Sequence, residues 1–545
     1  MTCGRATLHC ARATPALPRS IVAPLLPTEA IVQTLEIAVH YPSAGEGGAK
    51  ERNETLLLSF VPGAACAEVG LALRQRAVAR TYTAQCTVGL SNDYLGCFLT
   101  PALYAAPRHD AMLSCYGPGL AGWLYEHFDR LMQQGEPIVE GAAKRPVSYE
   151  VPEVKLRGDA RWVMLRGTDY ALGFQRATAF GDILQSVYET EVLASIAEAE
   201  PVTRSPVLGW LTQRLNVTPV ALPVAAAMAR PRLNKLSEHV AEELTGLADG
   251  LGVSFDEAWL TQCVPAFQPA ADSVGLGGTL VAAIGDRAGA DDLLVGCNMD
   301  YASTATPVLT ELAPTVGLRF VQIGHEGLLG TFCGMNETGL VVCVSRSGPP
   351  DESPFGPLPV DDLLSGEFPP ADTPEGPPVS LVVRGILQET AILDRALALL
   401  QALPGLKGYH VLVAAPPGES GSRSRAVVLE LRQKTEVRLP ANGFLLGADP
   451  DASSIGASAQ TRYERMKELL GDERIIASQE IQEALLDKHT GDSEPARILN
   501  PATRCSVVFE PVKRTMHVAF PDTTGAPGRF TTISLTSSAK EGADG

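Results

Sequence analysis

The sequence predicts an α+β fold, in which helices and strands form separate clusters along the chain instead of alternating strictly. From residue 275 onward, short apolar runs such as 279–284 and 339–344 are separated by turn residues, which is the pattern of an antiparallel sheet. Ahead of them, residues 170–200 and 233–250 show the roughly 3.6-residue apolar spacing of amphipathic helices. We therefore expect helices layered on sheets and not a doubly wound parallel sheet.

The first part of the chain predicts a smaller α/β domain over residues 29–140. Its predicted elements are strands at 31–39, 56–61 and 85–90 and helices at 68–80 and 122–132. Residues 1–28 contain basic residues but no acidic residue, and we expect a flexible N-terminal segment there. Residues 141–154 mix proline, glycine and charge without periodicity, which predicts a linker.

The second predicted domain covers residues 155–540. Ser254 and Glu257 form a capping-box pattern at the start of a helix. The other predicted elements are helices at 381–400, 463–470 and 480–488 and strands at 293–296, 318–323, 330–333, 410–415, 426–431, 435–439, 505–510 and 515–520.

Composition excludes several classes of function. The apolar fraction of 45% allows a sizeable core, and the formal charge of −18 disfavours binding to nucleic acid. No apolar run of roughly 18 residues occurs, so no membrane span is predicted. The eleven cysteines include no C-x-x-C pair, which indicates reduced, mostly buried thiols in a cytoplasmic protein and predicts no metal site.

Residues 276–300 are the segment most suggestive of chemistry. Gly277 and Gly278 precede Thr279, which opens a predicted strand, and the next strand ends in Gly-Cys-Asn-Met-Asp. A backbone cut before Thr279 would free an α-amine with a pKa of about 7.7–8.0, able to act as the general base for the adjacent hydroxyl. Glycine before the cut leaves the carbonyl unshielded. The alternative is an ordinary buried strand after a Gly-Gly turn.

The surrounding sequence resembles the isopenicillin-N acyltransferase-like family of N-terminal-nucleophile amidohydrolases over residues 155–537. The matching phrases occur in the family's order and are ELTGLADGLGVSFDEAWL at 243–260, GCNMD at 296–300, GMNETGL at 334–340, VRGIL at 383–387, NGF at 442–444 and the final strand pair at 505–521. The resemblance implies a four-layer αββα sandwich. It also implies amide hydrolysis or acyl transfer through a covalent acyl-enzyme, with no cofactor.

The sequence departs from this family at the nucleophile. The family's cysteine position falls on Gly277, which has no side chain, and Gly278 and Thr279 follow it. In one interpretation Thr279 has become the nucleophile, since a shift of two residues along a strand keeps the same face but moves the side chain about 6.6 Å. In the other, the site is catalytically dead and the fold serves as a binding or scaffold protein.

The resemblance assigns roles to four further residues. Asn298 and Asp300 match the family's strand-end Asn-x-Asp and would organise the nucleophile's surroundings. Asn336 would take part in binding, together with the two glycines. Asn442 would be the oxyanion donor, although Gly443 replaces the family's usual histidine. Asn298 and Asp300 could instead be an ordinary turn-forming pair, and Asn336 could belong to an ordinary hairpin turn.

The first domain has a resemblance of its own. VPGA at 61–64, GLSNDY at 89–94 and TPALY at 100–104 are similar to the latter part of the neutral ceramidase catalytic domain. The position of that family's zinc-binding glutamate is Ala64, and Tyr94 by itself cannot form a four-ligand site. We expect a metal-free remnant used for packing or substrate contacts.

Both resemblances concern amides of fatty or small acyl groups. The expected partner is therefore a small-molecule or lipid-like acyl amide substrate. Assembly into a homo-oligomer stays open at this stage.

Overall fold

The structure is a computed structural model, and it describes most of the chain. The described residues are 5–20, 26–41, 52–92, 94–106, 109–133, 151–157, 160–198, 201–202, 218–263, 278–300, 306–346, 358–359, 376–403, 408–418, 423–431, 435–447, 457–471, 474–488, 497–520 and 528–535. Most of the predicted linker, residues 141–150, lies outside them, as does Gly277.

The N-terminal part of the chain forms a four-stranded sheet with two helices packed on it. In spatial order its strands are β1 (Arg5–Ala13), β2 (Val32–Tyr41), β3 (Arg52–Phe60) and β4 (Ala84–Val88). The helices are α1 (Ala67–Ala79) and α2 (Leu120–Met132). Their buried residues, such as Leu73 and Phe128, share one apolar cluster with Val32 and Phe98.

The expectation of a flexible segment over residues 1–28 is wrong for residues 5–13. This stretch is β1, which pairs with β2 along its whole length, from Arg5 opposite His40 to Ala13 opposite Val32. Ala6, Leu8 and Cys10 alternate with polar residues, but Leu8 is 70% exposed, so this apolar face is not buried. Pairing with the neighbouring strand therefore decides its conformation, since a ladder of backbone hydrogen bonds forms with any non-proline sequence.

Fifteen further strands of three or more residues lie beyond residue 150 in the described chain. They are β5 (Lys155–Arg157), β6 (Ala160–Gly167), β7 (Leu280–Ile284), β8 (Leu293–Asp300), β9 (Pro307–Pro314), β10 (Phe320–His325), β11 (Cys333–Asn336), β12 (Val341–Arg346), β13 (Tyr409–Ala415), β14 (Arg425–Leu431), β15 (Glu436–Arg438), β16 (Phe444–Leu446), β17 (Thr503–Glu510), β18 (Thr515–Ala519) and β19 (Thr531–Ser534).

The helices beyond residue 150 pack around these strands. They are α3 (Asp169–Val187), continued by a π-helical turn (Tyr188–Val192) into α4 (Leu193–Glu198), then α5 (Thr218–Ala229), α6 (Glu238–Leu251), α7 (Phe255–Cys263), α8 (Val379–Glu389), α9 (Leu393–Ala402), α10 (Ala457–Leu470) and α11 (Ser478–Leu485). The predicted capping box at the start of α7 is confirmed, since Ser254 N–H donates to Glu257 Oε2 at 2.8 Å and Glu257 N–H donates to Ser254 Oγ at 3.2 Å.

Two large sheets face each other across one apolar layer. The six-stranded sheet has the order β16-β7-β8-β17-β18-β19 and is antiparallel throughout. The nine-stranded sheet has the order β15-β14-β13-β12-β11-β10-β9-β6-β5, with only β9 and β6 parallel. Alternate residues of β8, such as Val295 and Cys297, join Cys343 and Leu412 of the other sheet in the same cluster. This period of two lets each strand serve two layers.

The outer face of each sheet is covered by helices. Leu172, Val383 and Leu400 of α3, α8 and α9 cluster with the outward residues of the nine-stranded sheet. Met466 and Leu485 of α10 and α11 cluster with the outward residues of the six-stranded sheet. The predicted α+β class is confirmed, and the two antiparallel sheets match the short apolar runs read from the sequence.

A buried ion pair joins the N-terminal domain to the helices. Arg230 donates to both carboxylate oxygens of Asp256, at 3.1 and 2.6 Å, and its guanidinium lies 4.2 Å from the centre of the Tyr104 ring. Tyr104 donates its hydroxyl hydrogen bond to the same carboxylate, and Arg230 also donates to the backbone carbonyl of Ala111. Each charged group therefore has its hydrogen bonds, which is what makes burial of the pair tolerable.

The described residues contain neither a membrane-spanning helix nor a cluster of metal ligands. No helix there has the length and apolarity needed to cross a membrane. No group of three or more His, Cys, Asp or Glu side chains in that part of the chain is arranged to hold a metal ion.

The first prediction concerns the domain junction. Arg230→Ala strands the carboxylate of Asp256 in a buried position, which costs roughly 3–5 kcal/mol, so the thermal unfolding midpoint should fall clearly. Arg425→Ala is the control, because Arg425 pairs with Asp394 on the surface and such pairs contribute less than about 1 kcal/mol. Equal midpoints for the two variants would contradict a stabilising role for the junction.

Candidate functional site

The site is built around Gly278 and Thr279, the two residues that precede β7. Gly278 has a φ of +55°, and a Cβ atom placed on it would lie 2.2 Å from the backbone oxygen of Asn298. A side chain at this position therefore meets both the left-handed backbone conformation and a clash with the neighbouring strand. The glycine before Thr279 has a steric reason in the structure.

Thr279 enters the sheet opposite Asn298. Leu280 pairs with Cys297, and the N–H of Asn298 donates to the carbonyl of Thr279 at 3.0 Å. Side chains of directly opposite residues in an antiparallel pair share a face, so these two side chains are neighbours. Thr279 is 8% exposed, and its Oγ1 is buried without a hydrogen-bond partner among the described residues.

Asn298 is anchored through one end of its amide. Its Nδ2 donates to the carbonyls of Leu485 and Ile498 at 2.9 and 3.0 Å. Its Oδ1 is buried and has no partner within the described part of the chain. The anchored amide therefore offers a fixed acceptor on the same face as Thr279, suited to a hydroxyl or an ammonium donor.

Asp300 ties this strand end to the C-terminal part of the chain. Its carboxylate accepts hydrogen bonds from Asn500 Nδ2 and Thr503 Oγ1, both at 2.7 Å. Burial raises the pKa of Asp300, and the charge of Arg462 and the hydrogen bonds, including one from the backbone of Gly278, oppose that rise. Asp300 thus holds the glycine that precedes the candidate nucleophile.

The structure does not bring Asn336 to this cluster. Its Nδ2 donates to the carbonyls of Leu387 and Thr390, and its Oδ1 accepts from the backbone N–H groups of Thr338 and Leu340. The residue closes the β11–β12 turn and anchors the end of α8. Its place in the sequence phrase is therefore accounted for by turn structure, not by contact with Thr279.

Asn442 also lies away from Thr279, so it is too distant to donate a hydrogen bond to an oxyanion formed there, the role that the resemblance had implied. It is exposed and, with Gly443, forms a two-residue turn at positive φ between Ala441 and Phe444. Phe444 pairs with Ala283, so the turn lies beyond the end of β7 opposite to Thr279. Five residues of strand separate the two ends, or about 17 Å. Asn-Gly is favoured in such a turn because both residues tolerate positive φ.

Sequence reasoning missed a serine that contacts the site. Ser345 on β12 of the opposite sheet donates from Oγ to the carbonyl of Gly278 at 3.3 Å. The serine is buried, 8% exposed, and follows Cys343 by two residues, so it faces the layer between the sheets.

Ser345 is the first member of what we call the polar row: Ser345, His410 and Glu430. The three lie directly opposite one another on the adjacent strands β12, β13 and β14. His410 Nε2 lies 3.4 Å from Glu430 Oε1, and Arg438 on β15 donates to Glu430 Oε2 at 2.5 Å. Burial raises the pKa of Glu430, but hydrogen bonds and charge from His410 and Arg438 outweigh it and lower the pKa to about 2.

A signal for this row was present in the sequence. Each member stands two residues from an inward apolar residue, namely Cys343, Leu412 and Val428. A polar residue in the inward phase of a buried strand breaks the apolar alternation. Such breaks at the ends of three strands would have marked the polar end of the layer.

No protein-family model and no curated protein sequence matches this chain. Among solved structures, it is similar to a Caenorhabditis elegans N-acylethanolamine-hydrolyzing acid amidase ortholog, with 18% identity, a TM-score of 0.32, and coverage of 47% of this chain and 100% of that one. Two variants of conjugated bile acid hydrolase from Clostridium perfringens show 13% and 14% identity, TM-scores of 0.30 and 0.29, and coverage of 47% of this chain and 92% of theirs. Likenesses of this size do not by themselves establish a shared activity.

The second prediction tests the close approach at Gly278. Gly278→Ala adds a Cβ that meets the Asn298 oxygen, whereas Gly285→Ala at the other end of β7 has a similar φ of +60° and open space around the new atom. Both variants carry the backbone cost of about 1–2 kcal/mol, so the Gly278 variant should unfold at the lower temperature. Identical melting temperatures would show that the two strands can separate there freely.

The third prediction concerns pH. Since folding lowers the pKa of Glu430 from 4.5 to about 2, its contribution to stability is present above pH 4.5 and is lost as pH falls towards 2. The melting temperature of the wild-type protein should therefore fall more steeply over this window than that of Glu430→Gln. Parallel melting curves across the window would contradict the stabilising contacts with His410 and Arg438.

Proposed function

We propose that this protein is a self-processing amide hydrolase or acyltransferase of the N-terminal-nucleophile type, with Thr279 as nucleophile. The observation that carries the proposal is the buried Oγ1 of Thr279, which has no hydrogen-bond partner in the described residues and directly follows a glycine in a left-handed conformation. A buried hydroxyl without a partner is costly, and such sites call for a functional explanation.

The surrounding architecture supports this assignment. Thr279 opens a strand of the six-stranded sheet, which packs face to face on the nine-stranded sheet with helices on both outer faces. The sequence resemblance implies an αββα sandwich, and this arrangement of sheets and helices supports the assignment. By the alternation of β7, the Thr279 side chain lies with Val281 and Ala283 on the helix-covered face of the six-stranded sheet, where Asn298 also bonds the end of α11.

Self-processing begins with attack of Thr279 Oγ1 on the carbonyl carbon of Gly278. The bond from that carbon to the nitrogen of Thr279 breaks, the hydroxyl proton passes to the departing nitrogen, and an ester remains. Water then hydrolyses the ester and leaves a carboxylate on Gly278 and a free α-amine on Thr279. Asp300, which accepts a hydrogen bond from the backbone of Gly278, holds the peptide in place for this step.

Catalysis uses the amine that processing releases. With a pKa of about 7.7–8.0, the α-amine takes the proton of Thr279 Oγ1 as the oxygen attacks an acyl amide. The amine of the substrate leaves with a proton, and water or another amine accepts the acyl group from the ester. Asn298 Oδ1, fixed by the two hydrogen bonds of its amide nitrogen, is the acceptor for the ammonium form of the α-amine.

A scaffold function without catalysis is the second candidate. Its support is the low exposure of Thr279 and the tight packing of Gly278 against the Asn298 carbonyl, which together describe a well-formed strand entrance. Gly277, at the position of the family's cysteine, also fits a site that has lost its nucleophile. The two candidates differ in one covalent event, the cleavage before Thr279.

The fourth prediction is made on that event. Wild-type protein should yield two fragments separated between Gly278 and Thr279, visible by denaturing electrophoresis and by intact mass. Thr279→Ser keeps the hydroxyl and should still be cleaved, whereas Thr279→Ala should stay full length and show no amidase activity.

The matched control is Thr310→Ala. Thr310 on β9 is 1% exposed and, like Thr279, has a buried hydroxyl without a partner among the described residues. Its variant should be cleaved like the wild type. If the wild-type chain stays full length and hydrolyses amides no faster than Thr279→Ala does, the enzyme hypothesis is rejected and the scaffold hypothesis is favoured.

A further inference from the structure

The polar row is unusual for its position. Ser345, His410 and Glu430 are 8%, 3% and 0% exposed, and they have the same strand phase as the apolar residues Cys343, Leu412 and Val428 of the layer between the sheets. Burying polar groups costs free energy unless they are satisfied, so a buried polar cluster is retained for structure or for a site. Ser345 makes one hydrogen bond to the opposite sheet among the described residues. Its acceptor is the carbonyl oxygen of Gly278.

That oxygen belongs to the carbonyl that Thr279 attacks in the proposed processing step. We propose that Ser345 is a catalytic residue whose hydroxyl donates a hydrogen bond to the oxyanion formed on Gly278, and that the released site then presents the same hydroxyl to the acyl carbonyl of the substrate. This inference rests on the proposed function and adds to it the donor that Asn442 does not supply.

The length of the contact favours this role. At 3.3 Å the Ser345–Gly278 hydrogen bond is longer than the usual O–H···O distance of about 2.7–2.8 Å, so it is weak while the peptide is intact. Negative charge on the carbonyl oxygen in the tetrahedral intermediate strengthens and shortens such a bond. A donor that binds the intermediate better than the ground state lowers the barrier, whereas equal binding of both would not.

The rest of the row restricts what Ser345 can do. His410 is its direct neighbour across the strand pair, His410 Nε2 lies 3.4 Å from Glu430 Oε1, and Arg438 donates to Glu430 Oε2. The Gly278 carbonyl is the one acceptor that the structure shows for the Ser345 hydroxyl within the described residues. His410, which lies directly opposite Ser345, is assigned the role of a positioning residue, because side chains of opposite residues share a face.

The same donor serves the catalytic cycle after processing. Cleavage turns the Gly278 carbonyl into a carboxylate at a chain end, which is free to leave the serine. The acyl carbonyl of a substrate attacked by Thr279 must then place its oxygen where the Gly278 oxygen was, since both carbonyls are attacked by the same Oγ1. Processing and turnover are thus expected to depend on one hydroxyl.

The fifth prediction uses two variants of equal shape. Ser345→Thr keeps the donor, and Ser345→Val replaces it with a methyl group of similar size; both are β-branched residues suited to a strand. Loss of a single oxyanion donor slows reaction by about 10²–10³-fold, so the valine variant should be cleaved that much more slowly than the threonine variant. The rate is read from intact mass at timed intervals after cell-free synthesis, with melting temperatures as the folding check.

Ser380→Ala is the control, because Ser380 on α8 has a similar exposure of 7% and lies outside the polar row. It should be cleaved at the wild-type rate. If the valine variant melts far below the threonine variant, Ser345→Ala repeats the comparison without a branched side chain. Cleavage of the Val and Ala variants as fast as that of Ser345→Thr would overturn the role of Ser345.

The failures of the two proposals are distinguishable. If wild type is cleaved, Thr279→Ala is not, and the Ser345 variants behave like wild type, the proposed function stands and the oxyanion assignment is rejected. If wild type itself is never cleaved, the proposed function fails and the inference fails with it. The positioning role of His410 is tested with His410→Gln. This variant should lower the rate of self-cleavage and the amidase kcat by the same factor, and KM should stay unchanged.

Discussion

The pairing of β7 with β8 is the constraint on which the candidate site depends. At its open end the backbone of Gly278 approaches the Asn298 carbonyl so closely that a side chain cannot be accommodated. This contact fixes the start of β7, and with it the position of Thr279 opposite Asn298. It also fixes the direction of the Gly278 carbonyl, which reaches Ser345 on the facing sheet.

Both sheets contribute residues to the candidate site. The six-stranded sheet supplies Thr279, Asn298 and Asp300 from two adjacent strands, whereas the nine-stranded sheet supplies Ser345 from across the layer. A site shared between two facing sheets is rigid because each sheet is held by a full hydrogen-bond ladder and by helices on its outer face. Small displacements between the sheets would change the distance from Ser345 to the carbonyl, and reaction rates are sensitive to such displacements.

Two buried clusters of charged side chains in the described residues are held together by ion pairs. Arg230 and Asp256 at the domain junction and Arg176, Arg384 and Glu243 between α3, α6 and α8 are almost fully buried, and each is paired. Such networks cost little when complete and much when one member is removed. Thr279 Oγ1 and Asn298 Oδ1 have no partners among the described residues, as is also true of Thr310 Oγ1, but these two atoms belong to directly opposite residues beside Gly278.

The sequence by itself determined the fold class, the strand and helix positions near the site, and the glycine-threonine step that opens β7. These are local properties, carried by apolar periodicity, capping residues and turn residues. It could not determine which residues meet. Asn442 and Asn336 occupy motif positions of the resembled family. Strand register nevertheless places Asn442 beyond the far end of β7, and Asn336 forms part of a turn. Only the packing of one sheet on the other brings Ser345 to Gly278, because residues 67 positions apart in the chain approach each other through tertiary structure alone.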